Sequence, residues 1–522
     1  MESVNSTRNT KRIAKNTILL YFRMLLLMVL TLYTSRVILN ALGVEDYGVY
    51  NAVGGFISLF AILTNTLSAA ISRFLTFELG KKNSEKLNKI FSSSITILIF
   101  FSFIIFVIAE TIGIWFLTTK MNIPLDREVA AHWVFQFSVC TFLLNIIGTP
   151  FIACIIAHER MGAFAYISIF DGTLRLIIAL LIASSTYDRL IFYAILQCLL
   201  ALVIQLCYGI YSWRKFNECH YRFVYDKRLF REILGFSGWN FIGAGAGVLN
   251  DHGINILLNI FFGPVVNTAR AIAVQVNQAV VSFSTNFMTA LNPQITKSYA
   301  SGDSQYMTSL AFNGARFSCY LLIILSIPLI VETPFVLKLW LGQVPDYSVV
   351  FVRLVLINAI YNAMSGTLVT IMLATGDIKK YQIIVGGLQL LGFPLSWALL
   401  KSGFPPESTI IVLLGLNLIS LFVRLTLLNQ KVSLDIKPFL SKVLFKVTIV
   451  LLLSFIFPFI ISSYYEESII RLICNGTLSF VISCIIIYGI GCSKEERLIV
   501  RNKICNYYER LKKSNEYAHR TL

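Results

Sequence analysis

The chain alternates long apolar runs with short polar ones. Fourteen apolar runs stand out, near 17–41, 47–72, 90–117, 132–157, 162–185, 190–213, 236–262, 269–292, 314–340, 349–375, 381–400, 408–430, 443–463 and 469–492. At about 1.5 Å per residue, a helix of each length spans a hydrocarbon core of about 30 Å. The pattern therefore predicts an all-α polytopic membrane protein with about 14 transmembrane helices.

Three of these runs carry polar residues that a lipid-facing helix would not keep. In 47–72, Asn51, Ser58, Asn65 and Ser72 recur every seven residues and line up on one face. Such a stripe serves either helix–helix hydrogen bonds or a hydrated cavity. In 236–262, Asn250, Asp251 and His252 fall near the middle, Asn255 and Asn259 follow Asp251 at one-turn steps, and Asn240 lies on the same side. A midplane carboxylate costs a few kcal/mol even after relaxation, which favours a wet face there and marks Asp251 as a candidate coupling site. In 269–292, Arg270, Gln275, Asn277, Gln278, Ser282, Thr285, Asn286 and Thr289 project onto one side and Ile272, Val276, Val280, Phe283 and Phe287 onto the other. Four polar faces from two pairs of helices would then enclose one cavity, with Arg36, Asn51, Ser58, Asn65, Asn255, Arg270, Gln275 and Gln278 as candidate cargo contacts. Asp171 and Arg175 sit one turn apart in 162–185, either as a structural ion pair or as part of the coupling machinery. Arg36 and Arg270, near outer helix ends, either face the cavity or snorkel.

Arg36, the Leu42-Gly43 and Tyr47-Gly48 pairs bracketing a short loop, and the Ser72-Arg73-Phe74 exit resemble the first two helices of bacterial oligosaccharide-lipid flippases. These are the Wzx-type transporters of the polysaccharide transporter family, in the superfamily that also holds MATE-like exporters and lipid II flippases. The resemblance implies two pseudo-symmetric six-helix lobes plus a C-terminal helix pair. A weak internal repeat fits that plan: ILLNIFFGPVVNTARAIA at 256–273 echoes VILNALGVEDYGVYNAV at 37–53, and MLATGDIKKYQ at 372–382 echoes IIAHERMGAFAY at 155–166. A parallel repeat needs an even number of helices between copies, and six satisfies it. The expected layout is an N-terminal lobe at 1–213, a basic linker at 214–235, a C-terminal lobe at 236–430, a helix pair within 431–492 and an amphipathic cytoplasmic tail at 493–522.

Composition agrees with a membrane protein: 56% hydrophobic and 14% charged residues over 522 positions, with mean hydropathy +0.73. The net charge of +17 is a matter of topology. Most Lys and Arg fall in alternate loops and both tails, while the opposite loops hold only Lys120, Arg127, Arg189 and Lys401. This bias puts both termini in the cytoplasm and makes nucleic acid an unsuitable partner. Seven deep basic residues (Arg23, Arg36, Arg175, Arg270, Lys338, Arg353, Arg424) face four acidic ones (Glu110, Asp171, Asp251, Glu332), a balance that favours an anionic cargo. The ten cysteines form no C-x-x-C and read as core thiols without a redox or zinc role. No phosphate-binding G-x-x-x-x-G-K-[ST] occurs, so no ATP-driven transport by this chain and no cofactor is expected.

The resemblance implies a non-enzymatic flippase of the inner membrane. Its cargo would be an undecaprenyl-diphosphate-linked oligosaccharide for lipopolysaccharide O-antigen or capsule, moved by alternating access. A polymerase and glycosyltransferases of the same pathway are the further partners it suggests. The rival readings are a cation-coupled multidrug exporter of the same fold and a membrane polysaccharide polymerase, for which no loop is long enough.

Overall fold

A computed structural model describes residues 2–498 and 501–502, apart from 59, 120–122, 124, 225, 263 and 342–343. Its elements are helices: α1 Glu2–Ser58, α2 Ala61–Lys81, α3 Ser84–Thr119, α4 Glu128–Ala157, α5 Met161–Ala183, α6 Arg189–Lys215, α7 Lys227–Val248 and α8 Ile254–Phe262. They continue as α9 Pro264–Ala300, α10 Ser304–Val331, α11 Thr333–Leu341, α12 Ser348–Thr375, α13 Lys379–Lys401, α14 Ser408–Val432, α15 Ile436–Tyr464 and α16 Ile469–Gly491. No strand occurs among the described residues. The expected tail helix lies mostly outside them, from 503 onward.

Eleven helices are long and apolar enough to cross a membrane among the described residues. With the runs at 47–72, 236–262 and 269–292 they make up the fourteen expected spans. Those three runs contain the polar faces identified from the sequence.

Several boundaries differ from the apolar runs. The expected loop at 42–48 is a one-residue break: Gly43 adopts φ 81° and ψ 170°, and the backbone is helical again to Ser58. A left-handed φ is where glycine has no steric penalty, so a turn fits into a single position. Arg189 Nη1 donates to the Ala41 carbonyl at 3.0 Å, beside the break. Arg127 bridges Asp46 at 2.6 Å and Asp188 at 2.8 Å, so Arg127 and Arg189 both hold this corner. At the opposite end, helices run past their apolar runs because polar caps extend them. Asn83 accepts from Lys86 N, and Asp226 accepts from Arg228 N and Leu229 N, satisfying amides that a helix start leaves open. This opposite end, rich in Lys and Arg, is called the basic end below.

The described residues group into two compact units. The first comprises Met1–Gly253, Thr285–Ala311 and Thr367–Pro394, and the second Ile254–Ser284, Phe312–Gly366 and Leu395–Leu522. In the first, α1 packs on α5, α4 on α6, and α2 on both α4 and α7. α3 packs on α2 and α4, and its small Ser92, Ser93 and Ser94 are fully buried. In lipid, close approach rather than hydrophobicity drives helix association. In the second unit α15 and α16 form an antiparallel pair. Large apolar side chains such as Phe103, Val129, Tyr166 and Ile470 are exposed, as lipid contact requires.

Candidate functional site

The first unit gathers helix ends from distant parts of the sequence at the basic end. Its centre is the α4–α5 turn, where Glu159 takes a left-handed φ of 58°, strained for a residue with a side chain. Three elements explain why it stays there. Lys297 of α9 lies 2.6 Å from Glu159 Oε1, Arg12 of α1 lies 2.9 Å from Oε2, and Gln294 of α9 also donates to Oε2. Asn16 of α1 donates to the Glu159 carbonyl at 3.3 Å. Burial pulls the Lys297 ammonium below the ordinary lysine pKa; Arg12 adds to this and Glu159 opposes it.

A second clamp lies on α2. Arg73 donates through Nε to the Leu373 carbonyl at 3.2 Å and through Nη2 to the Ala374 carbonyl at 2.8 Å. These carbonyls lie at the end of α12, where the helix dipole favours a cation, and the Leu373 carbonyl also accepts from Gly376 N at 3.1 Å. The guanidinium also covers the rings of Phe74 and Phe77. Its closeness to the next turn requires glycine there, since a Cβ on Gly376 (φ +80°) would come 2.4 Å from Nη2. Beside the clamp is a cavity of about 410 Å³ lined by Arg73, Arg231, Glu232, Trp239, Asp377 and Lys379 among others. Both clamps join the first half of the sequence to the second. Arg73 belongs to the Ser72-Arg73-Phe74 exit already noted in the sequence, yet it was not among the candidate site residues; Glu159 carried no sequence signal beyond its place in a short turn.

A family model described as polysaccharide biosynthesis protein matches residues 13–299, more than half of the 522-residue chain. The chain belongs to that family. Several solved structures share its fold. One is a MATE protein in complex with MaD3S, with TM-score 0.71, 10% identity, and coverage of 81% of this chain and 96% of that one. Another is a multidrug resistance MATE family transporter of the MOP superfamily in an outward-facing conformation, with TM-score 0.70, 10% identity, and the same coverage. A third is the MATE transporter ClbM in complex with Rb+, with TM-score 0.66, 13% identity, and coverage of 79% and 94%. The comparison with curated proteins gives no match. This member of the polysaccharide biosynthesis family is thus a multi-pass membrane protein with the MATE-like transporter fold.

Within that fold the sequence candidates are distributed as follows. Arg36, Asn51 and Ser58 lie on α1, and their side chains are outside the described residues. Asn65 on α2 is exposed. Asp251 lies, exposed, in a π turn at Leu249–Gly253 between α7 and α8. Such turns recur at functional sites because they displace a side chain from the regular helical face. In the second unit, Asn255 is half-buried, Arg270 is buried, and Gln275 and Gln278 are exposed. Asp171 and Arg175 are brought together: Arg175 Nε is 3.1 Å from Asp171 Oδ1, and Nη1 donates to Gln197 Oε1 at 3.2 Å.

The wet face expected on 236–262 is in part a helix–helix seam. Gln382 Nε2 donates to Asn240 Oδ1 at 3.3 Å, and Asn250 Nδ2 donates to the Gln389 carbonyl at 2.8 Å, both linking α7 and its π turn to α13. The deep charges also have local partners. Glu110 accepts from Gln136, and Glu332 pairs with Arg471 at 2.8 Å. Arg316 pairs with Glu496 at 2.6 Å. Arg316 and Arg471 are intramembrane arginines that the seven-against-four balance did not include, so that balance overstates how much free charge a cavity holds.

Proposed function

We propose that this chain is a flippase for an undecaprenyl-diphosphate-linked oligosaccharide, acting in the bacterial cytoplasmic membrane in lipopolysaccharide O-antigen or capsular polysaccharide assembly. The observation that carries the proposal is the family match over residues 13–299. Its physical counterpart is that the runs 47–72, 236–262 and 269–292 carry amide and hydroxyl stripes. A sugar head cannot cross hydrocarbon without replacing its water contacts, and Asn, Gln and Ser side chains both donate and accept. The diphosphate carries about two negative charges, and Arg36 and Arg270 would supply bidentate donors to it. The lipid tail stays in the bilayer throughout.

Transport is by alternating access. The Glu159 and Arg73 clamps close the basic end within the first unit, so admitting cargo from that side requires both to part. Asp251 is the proposed protonation or cation site that couples this motion to an ion gradient. Both termini are cytoplasmic in this reading, which puts the basic end on the cytoplasmic side. A cation-coupled drug exporter shares the fold, and a fold likeness at 10–13% identity names no cargo.

The test is surface polysaccharide in a flippase-null strain carrying each variant, normalised to membrane-inserted protein. Arg270→Lys should retain partial export and Arg270→Gln should lose most of it, since each charge-assisted bond contributes about 1.5–3 kcal/mol. Asp251→Asn should export poorly and lose ion dependence. Wild-type export from the Arg36→Gln, Arg270→Gln double variant would overturn the phosphate clamp and leave the drug exporter as the better reading. Cysteines placed at Asp188 and Ser402 should label from outside, and one at Ser84 from inside.

A further inference from the structure

A cluster of four Lewis bases at the basic end of the first unit is not explained by transport. Cys154 and His158 are one turn apart at the end of α4, and Glu218 and Cys219 lie in the 3-10 turn Asn217–Cys219 that follows α6. One donor atom each from Cys154, His158 and Glu218 lies within 4.8 Å of the other two. The Cys154 sulfur is 3.7 Å from Glu218 Oε1 and 3.3 Å from the Cys219 sulfur. His158 Nε2 is hydrogen-bonded to the same Glu218 oxygen.

We propose that Cys154, His158, Glu218 and Cys219 bind one zinc ion, which ties the end of α4 to the turn after α6. Two thiols and a carboxylate converging on an imidazole repel one another as they ionise, and a cation at their centre removes that repulsion. The donor set selects the metal. Calcium and magnesium take oxygen ligands, whereas zinc accepts mixed sulfur, nitrogen and oxygen. In a tetrahedron, zinc bonds of about 2.3 Å to sulfur and about 2.0–2.2 Å to oxygen separate a sulfur from an oxygen by about 3.6 Å and two sulfurs by about 3.8 Å. The Cys154–Glu218 distance of 3.7 Å meets this, and the two sulfurs, 3.3 Å apart, move apart by about 0.5 Å to take up the ion. The His158–Glu218 hydrogen bond opens when the ion displaces the proton between them.

The surroundings hold these donors in place without the ion. Asn88 of α3 donates to the carbonyls of Glu218 at 3.0 Å and His220 at 2.8 Å, and Arg222 N donates to Ser92 Oγ at 3.1 Å. The His158 ring stacks on Phe216, with centroids 4.1 Å apart and planes 14° from parallel. Supports of this kind orient ligands and add to metal affinity. Both cysteines are buried, while the His158 side chain is 26% exposed and leaves a route for the ion. A disulfide between the cysteines would leave the convergence of His158 and Glu218 unexplained, and a His–Glu ion pair would leave the thiols unexplained.

The experiment uses the full chain in detergent, stripped with a chelator and titrated with Zn²⁺ under competition, then with Co²⁺ as a spectroscopic probe. About one zinc per chain should bind, and Co²⁺ should give thiolate charge-transfer absorption with a tetrahedral d–d pattern. Cys154→Ser and Cys219→Ser should each weaken that absorption. His158→Ala should weaken zinc affinity at least about tenfold. Zinc should raise the melting temperature of the wild type but not of Cys154→Ser, while Cys140→Ser should behave as wild type throughout. Glu218→Gln serves as the reporting variant if a buried cysteine change prevents folding, and it too should lose zinc affinity. Any of three results would overturn the proposal: no stoichiometric zinc in the wild type, a cobalt spectrum insensitive to these variants, or a Cys154–Cys219 disulfide in freshly isolated protein.

Discussion

Glu159 and Glu332 are both carboxylates at helix junctions, and both side chains are 1% exposed. Their partners differ. Glu332, the single residue between α10 and α11, meets one cation: Arg471 Nε at 3.2 Å and Nη2 at 2.8 Å, with Asn475 donating to the other oxygen at 2.7 Å. The remaining Arg471 nitrogen reaches the carbonyls of Ser462 and Tyr465, so the pair is neutral, buried and internally satisfied. Glu159 meets two cations from α1 and α9, and one of them, Arg12, is 48% exposed. A dry one-to-one pair cannot part without leaving a bare charge in a low-dielectric setting. A junction with surplus cations and access to water can. The difference separates a staple, holding the final helix pair to α10 and α11, from a contact suited to opening and closing.

The comparison breaks most visibly at Arg471. Arg471→Ala strands Glu332 and should cost about 3–5 kcal/mol, read as a lower melting temperature and less folded protein by size exclusion. Replacing both partners, Glu332→Leu with Arg471→Leu, should recover most of the loss, because an apolar pair carries no desolvation penalty. A single variant that melts like wild type would mean that Glu332 is not a staple.

Glu159→Gln should cost less, about 1.5–3 kcal/mol, since the amide oxygen can still accept from Lys297 while the contact of Gln294 and Arg12 with the other oxygen is lost. Its signature is local. Amide exchange in 156–162 and 294–300 should accelerate while 330–336 and 469–477 stay protected, as expected where a junction opens without global unfolding. Acceleration of all four segments together would make the two carboxylates equivalent and remove the distinction.

These contacts also mark what the sequence could and could not reveal. Apolar run length gave the spans, because hydrocarbon thickness sets a local requirement that each run meets alone. The three polar spans were legible for the same reason. Glu159, Arg73 and the Cys154–Glu218 pair were not, since their partners lie 138, 300 and 64 positions away. Only folding brings such residues together, and a short turn or a lone cysteine carries no local mark of it. Asn240 and Asn250 show the converse limit. They stand at polar positions of an apolar run, but spacing does not tell whether a polar face meets water or another helix.

Gly376→Ala probes the second clamp with a smaller effect. Its left-handed φ and the 2.4 Å approach to Arg73 Nη2 mean that either the turn or the guanidinium must shift. The expected cost is about 1–2 kcal/mol, with faster exchange at 372–377. Arg73→Ala in the same background should add little beyond the Gly376→Ala effect, since both changes disrupt one contact. Full additivity would show that the glycine is needed for the turn alone.

The smallest effect belongs to Arg12. It contributes the second cation on Glu159, but at 48% exposure its charge is largely screened by water, and Lys297 at 2.6 Å already neutralises the carboxylate. Arg12→Ala should therefore lower stability by about 0.2–1 kcal/mol at low salt and by less at high salt. Lys297→Ala should cost more, because the Lys297 side chain is only 24% exposed and leaves Glu159 facing the more solvated partner. The ratio of these two effects tests the surplus-cation description directly. If Arg12→Ala matched Lys297→Ala, both cations would be required and the junction would be as fixed as the one at Glu332. If Arg12→Ala left stability unchanged while speeding exchange at 156–162, the surplus cation would act on the closed state of the junction alone.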